Sequence, residues 1–219
     1  VFKGLLFMGA GAVLHATHER SMEGLGGLIH KMKWTAPLFL VGCLAASGLP
    51  PFNGFVSEWL IFQSFLLTPA LPGRLLNLLI PLGAAALALA AALSARGFVK
   101  VFGITFLGQW RGKAGFEAVE VNWPMRAAMM MAAASCLALG VFPTHVIGWL
   151  DSVPQSLVGG GIGMTARASG WLWLTPVASE RASYSAPLVF FFIAFVIGAI
   201  YLAFKARGVN VRRAPMWDC

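Results

Sequence analysis

Charged residues are scarce in this sequence. Only 11% of the 219 residues are Asp, Glu, Lys or Arg, 58% are hydrophobic, and the mean hydropathy is +0.78. A soluble domain averages about 25% charged residues. Eight acidic and sixteen basic residues therefore cannot cover a water-soluble globule of this size. The composition argues against a soluble, disordered or nucleic-acid-binding protein despite the formal net charge of +8, and it predicts that most of the chain lies in lipid.

Cysteine is also rare. The three cysteines, Cys43, Cys136 and Cys219, are far apart, and none belongs to a Cys-x-x-Cys pair. This spacing argues against a disulfide framework, a zinc site and an iron–sulfur site, and we expect Cys43 and Cys136 to be small buried hydrophobic residues. The glycines of residues 159–163 follow no predicted strand, which excludes a dinucleotide-binding fingerprint. We therefore expect no cofactor, no metal and no catalytic centre in this chain.

Apolar segments, by contrast, fill most of the sequence. A transmembrane helix needs about 20 apolar residues, and we predict an all-α integral membrane protein with about six transmembrane helices. The predicted spans are residues 1–17, 36–49, 54–67, 75–107, 124–142 and 187–204. Residues 143–183 are expected to lie along the membrane interface. The chain starts with Val inside an apolar segment that has no basic leader, so we expect the C-terminal part of a longer protein.

The second and third segments are each too short to span comfortably. Pro50 and Pro51 separate them, and proline lacks a backbone donor and clashes with the preceding turn. We expect this junction, SGLPPFNG, to dip into the membrane or to border a polar cavity. Short apolar segments interrupted by Pro and Gly are the best sequence indicator of a transporter site.

Two ionisable residues lie inside the apolar segments. Lys3 precedes the polar boundary near Thr17 by about 14 residues, or roughly 21 Å of helix, which predicts a position near mid-membrane. Glu58 lies one turn after Gly54, just beyond the two prolines. Because charges inside a membrane are costly, such residues often form proton relays. The alternatives are an interfacial lysine and a glutamate stabilised by the N-terminus of its own helix.

Three further residues are weaker candidates. Lys100 shares a helix face with Arg96 but lies close enough to the helix end for its side chain to reach the interface. His15 and His18 lack the two further ligands that a metal site would need, so a hydrogen-bonded or proton-accepting His15 is favoured.

Six spans would place alternate loops on the same side of the membrane. The loop of residues 109–123 and the C-terminal tail would then share one side, and the loop of residues 18–33 would lie on the other. The bases of the tail favour a cytoplasmic C-terminus; they are Lys205, Arg207, Arg212 and Arg213.

Two motifs carry a family resemblance. FKGLLFMGAGAVLHAT, residues 2–17, resembles the tenth helix of the antiporter-like membrane subunits of respiratory complex I and Mrp antiporters. SGLPPFNGFVSEWLIFQ, residues 47–63, resembles their helix eleven–twelve region. HAT followed by GGLIHKM, the run FVKVFGITFLG and the terminal WDC are similar to the branch of hydrogenase-4 component B and the large membrane subunit of formate hydrogenlyase.

The resemblance implies the second of two inverted five-helix repeats, with a broken helix at a half-channel. It implies that Lys3 is the helix-ten lysine that passes protons towards an ionisable residue on the broken helix, and that Glu58 is that residue. Lys100 falls where relatives often have Arg or Lys on helix thirteen, and His15 falls at a position that is frequently His. Residues 1–108 would be the C-terminal part of the proton-translocating domain, followed in residues 109–219 by extra helices, an interfacial loop and a basic tail.

The implied function is that of a proton-translocating membrane subunit in a hydrogenase-4 or formate hydrogenlyase type of respiratory complex. Its partners would be the lipid bilayer and other membrane and peripheral subunits, and no nucleic acid. It would be a multi-pass protein of a bacterial or archaeal cytoplasmic membrane, without a catalytic centre of its own but part of an oxidoreductase complex. The alternatives are an Mrp-type Na⁺/H⁺ antiporter, a complex I subunit, and a passive membrane anchor.

Overall fold

The helix boundaries follow the apolar segments of the sequence closely. A computed structural model describes residues 1–66, 73–112, 118–158, 173–174 and 183–207. These residues form α1 (Phe2–Thr17), α2 (Thr35–Ala46), α3 (Asn53–Leu66), α4 (Arg74–Phe106), α5 (Trp123–Val141), α6 (Pro143–Leu150), α7 (Ser152–Val158) and α8 (Ala186–Ala206). No strand forms within the described ranges, where an isolated bridge pairs Leu174 with Tyr184.

Three of the helices are long and apolar enough to cross a membrane, namely α5, α8 and residues Leu75–Phe106 of α4. The helices α1 and α2 are apolar but shorter, and α3 has 14 residues. The prediction of an all-α membrane protein is confirmed. The expected interfacial segment contains the two short helices α6 and α7, while residues 159–172 and 175–182 lie outside the described residues.

Glycines let α1, α2 and α5 pack closely. Gly42 of α2 lies against Leu5 of α1, and Gly9 of α1 lies against Phe39 of α2 and Met129 of α5. This order of contacts makes α1 and α2 antiparallel, with the start of α1 beside the end of α2. Small residues at such crossings allow membrane helices to approach through van der Waals contact, because lipid offers no hydrophobic driving force between them.

The long helix α4 runs antiparallel to α2. The rings of Phe106 and Phe39 have centroids 5.3 Å apart, and the Ser94 hydroxyl donates to the Ala46 carbonyl at 3.2 Å. The last part of α4 therefore lies along α2 from Phe39 to its end.

The helix α3 packs against an earlier stretch of the same α4. Gly83 of α4 lies beside the ring of Phe65, near the end of α3. From its C-terminal end towards its N-terminal end, α4 therefore contacts first α2 and then α3. The two short helices are the halves of one interrupted passage, with residues 47–52 as the break.

Two loops meet at one end of this bundle. The Gly27 amide, in the loop after α1, donates to the Leu107 carbonyl at 2.9 Å, and the Trp34 amide donates to the Glu120 carboxylate at 2.8 Å. The prediction that these two loops lie on opposite sides of the membrane is wrong. It treated α2 and α3 as two complete crossings, whereas they follow one another along α4.

Cysteine labelling can check this arrangement. In a variant with Cys219 replaced by Ser, we expect Glu23→Cys and Val119→Cys to react with an impermeant maleimide from the same side of the membrane, because their loops touch. Both side chains are exposed, whereas the remaining Cys43 and Cys136 are buried. Ser156→Cys, on α7 beyond the far end of α5, should react from the opposite side. Labelling of positions 23 and 119 from opposite sides would contradict the packing.

Candidate functional site

The end of α2 is a tightly hydrogen-bonded turn. The Leu49 amide donates to the Leu44 carbonyl at 3.2 Å, and the Gly48 amide donates to the Ala45 carbonyl at 3.3 Å. Gly48 has a φ of 63°, the left-handed conformation of a Schellman motif, which glycine adopts without steric cost. The turn pairs carbonyls that would otherwise be left unpaired where the helix stops, as a break within a membrane requires.

The start of α3 is held by two close backbone approaches. A Cβ on Gly54 would collide with the carbonyl oxygen of Ala45, at the end of α2. A Cβ on Gly140 of α5 would collide with the carbonyl oxygen of Pro51 inside the break. The break is thus packed between α2 and α5, and only glycine fits at these two contacts.

Glu58 lies on this break. It is half-buried, and its carboxylate rests on Gly48 so closely that a Cβ there would collide with it. Within the described part of the chain, Glu58 has neither a hydrogen bond nor an ion pair. The broken helix therefore carries, against the turn that ends α2, an acid that has no polar partner among the described residues.

Lys3 lies at about the level of the break that carries Glu58. It precedes Leu5 by two residues, and Leu5 packs against Gly42 near the end of α2. Two residues along a helix turn the side chain by about 200°, so Lys3 is exposed where Leu5 is buried. The structure thus brings Lys3 and Glu58 to a similar level but not into contact. A proton passing between them would need an intervening group.

His15 and Lys100 lie apart from this pair. His15 is 12 residues along α1 from Lys3, about 18 Å away at the opposite end of the helix. It is exposed and lines, with His18, two open clefts of about 400 and 330 Å³. Lys100 is exposed on the part of α4 that runs along α2, rather than beside the break. Among the described residues no group of three or more His, Cys, Asp or Glu could hold a metal ion.

Two charged residues of this fold, Arg126 and Glu120, were not predicted from the sequence. Arg126 lies in the first turn of α5, with its guanidinium 5.6 Å from the Trp123 ring centroid, and its buried Nε has no partner within the described ranges. A charge inside a predicted span was a signal that could have identified it. Glu120 accepts from the Thr35 hydroxyl at 2.6 Å and caps α2, and no local pattern predicts this pairing across 85 residues.

Tyr184 is a third residue that the sequence analysis missed. Burial raises the pKa of its phenol, which therefore stays neutral at physiological pH, and its hydroxyl has no partner among the described residues. Cys43 and Cys136 are both buried, as predicted.

Comparison with known proteins identifies the first part of the chain. Residues 1–77, which include Lys3, His15 and Glu58, match the family described as NADH:quinone oxidoreductase/Mrp antiporter, transmembrane. The chain is 38% identical over 171 residues to hydrogenase-4 component B of Escherichia coli K12, covering 75% of this chain and 25% of that protein. It is 40% identical over 158 residues to formate hydrogenlyase subunit 3 of the same organism, covering 72% and 26%.

A solved structure has the same fold. All of this chain superposes on 32% of a chain of the membrane-bound sulfane sulfur reductase, an archaeal respiratory membrane complex, with a TM-score of 0.71 and 25% identity. The family resemblance predicted from the two motifs is therefore confirmed. The chain spans about a quarter of the length of the two curated relatives.

The contact between Gly48 and Glu58 generates a stability prediction. Gly48→Ala should lower the free energy of unfolding by about 1–2 kcal/mol from the left-handed backbone alone, with a further loss from the collision with the carboxylate. Gly97→Ala is the matched control, because a Cβ at this exposed position in α4 meets nothing within 4 Å. Thermal unfolding of the detergent-solubilised protein compares the stability of each variant with that of the wild type.

A second substitution separates the two contributions to the stability loss of Gly48→Ala, the left-handed backbone and the collision with the carboxylate. In a Glu58→Ala background, Gly48→Ala should cost less, because only the backbone term remains. An equal cost in both backgrounds would show that the carboxylate does not rest on Gly48.

Proposed function

We propose that this chain, whose residues 1–77 match the NADH:quinone oxidoreductase/Mrp antiporter transmembrane family, is part of a proton-translocating membrane subunit of a hydrogenase-4 or formate hydrogenlyase type of complex. One observation carries the proposal: Glu58, which has no hydrogen bond or ion pair among the described residues, lies at the junction of a broken membrane helix. Similarity to hydrogenase-4 component B and formate hydrogenlyase subunit 3 supports this type of complex. The redox chemistry would belong to other subunits, which are the partners we propose.

The proposed mechanism uses the two charges at the level of the break. A change of charge in a neighbouring subunit alters how tightly Lys3 holds its proton, and the proton moves through water to Glu58. Protonation removes the repulsion between the Glu58 carboxylate and the negative end of α2, and the proton then leaves through a half-channel. The similar level of Lys3 and Glu58 supports this order, and their separation explains why water is needed. Lys100 and His15 would act, if at all, in other parts of the path.

The orientation is part of the proposal. The end of the bundle where the loops after α1 and α4 meet carries several bases, and the positive-inside rule places it in the cytoplasm of a bacterial or archaeal cell. These bases are Arg20, Lys31, Lys33 and Arg111. The bases of the tail also favour a cytoplasmic C-terminus. Residues 1–108 would form part of the proton-translocating domain, and residues 109–219 the additional helices.

Substitution of Glu58 tests the function. In the full-length protein within its complex, we expect Glu58→Gln to lose most proton pumping in inverted membrane vesicles, because glutamine has nearly the same shape but cannot exchange a proton. Glu23→Gln, in the exposed loop after α1, is the matched control and should pump normally. Undiminished pumping by Glu58→Gln would refute the proposal.

Two alternative functions predict different outcomes. The matched family also includes Mrp antiporters, and a Na⁺/H⁺ antiporter would show transport that depends on sodium in the same vesicles. A passive anchor would need Lys3 only for docking, so Lys3→Ala would then abolish assembly of the complex. A complex that assembles normally with Lys3→Ala but no longer pumps supports proton translocation.

A further inference from the structure

A second, smaller core joins the start of α3 to the segment that precedes α8. Its buried members are Val56, Leu174, Tyr184 and Ala186. Tyr184 is only 9% exposed. Apart from Val56, its buried members lie outside residues 1–77, so the cluster depends on the part of the chain that the family match does not cover.

The segment that carries Tyr184 has a fixed position. Tyr184 and Leu174 exchange two backbone hydrogen bonds, of 2.8 and 3.2 Å. The next residue, Ser185, caps α8, because its hydroxyl oxygen accepts from the Leu188 amide at 3.4 Å. The phenol ring therefore projects from a backbone that is held on both sides.

The ring of Tyr184 contacts the turn of α3 that carries Glu58. Its centroid lies 5.1 Å from that of Phe55 and 5.7 Å from that of Trp59, within the range of favourable aromatic pairs. Phe55 and Trp59 are four residues apart and share one helix face, and Glu58 immediately precedes Trp59. The glycine contact at Gly54 holds the first residues of α3, and Tyr184 holds the next turn.

We propose that Tyr184 is a positioning residue for Glu58. Its ring, packed on Phe55 and Trp59, sets the rotation of α3 and so keeps the carboxyl over Gly48. The inference rests on the proposed function, in which Glu58 exchanges the proton. The ring performs this role and the hydroxyl does not, since the contacts with α3 are ring contacts. Without the ring, the turn can rotate and the carboxyl leaves its place between the helix ends.

Three variants of the full-length protein, assembled in its complex, test the proposal. Tyr184→Leu should lower the pumping rate about 2- to 10-fold, the range that corresponds to losing an aromatic pair, and should shift the pH at which pumping is half-maximal. Tyr184→Phe keeps the ring and should match the wild type in both measurements. Tyr201→Leu removes the other tyrosine, which is exposed on α8, and should also match the wild type.

Several results would contradict the proposal or the function on which it rests. An unchanged pH profile in Tyr184→Leu would overturn the positioning role. So would an equal loss of pumping in Tyr184→Phe. If Tyr184→Leu does not accumulate, Trp59→Leu removes the other side of the contact and must shift the profile in the same direction. Normal pumping by Glu58→Gln would refute the proposed function itself, whereas loss of pumping in Glu58→Gln with an unchanged Tyr184→Leu would refute the role of Tyr184 alone.

Discussion

A helix that stops inside a membrane must satisfy its own backbone, because hydrocarbon offers no hydrogen-bonding partners. The break between α2 and α3 meets this constraint with a Schellman turn at Gly48 and with the Ser94 hydroxyl, which donates to the Ala46 carbonyl. The chain then restarts as a helix at Asn53 against backbone supplied by α2 and α5. The position of Glu58 and the arrangement of α4 and α5 around it follow from this solution.

The glycines at the break shape its backbone and also determine where the Glu58 carboxylate lies. At Gly48, the absence of a side chain permits both the left-handed backbone and the approach of the Glu58 carboxylate. At Gly54 and Gly140, it lets neighbouring helices contact the backbone of the break. An acid placed in this way is near the negative end of one helix and the positive end of the next.

The residues outside the family match have a structural relation to this site. The cluster around Tyr184 packs on α3, and α5 contacts the break through Gly140. The part of the chain after residue 108 therefore contributes to the surroundings of Glu58. Of its two long apolar helices, α8 exposes most of its side chains, as expected where lipid or other subunits surround it, whereas α5 packs against α1, α2 and α3.

Composition and local pattern were enough to predict a membrane protein, the boundaries of its six longest helices within one to three residues, and an acid beside a Pro-Pro break. These features depend on neighbouring residues, which a sequence displays directly. The short helices α6 and α7 were not predicted. Tertiary structure alone decided that α2 and α3 form one interrupted passage, that Lys3 and Glu58 share a level without touching, and that Glu120 caps a helix 85 residues away. Such relations arise from packing between distant segments: whether two short helices fold back on each other or follow one another depends on where α4 and α5 supply contacts, and no local periodicity encodes that choice.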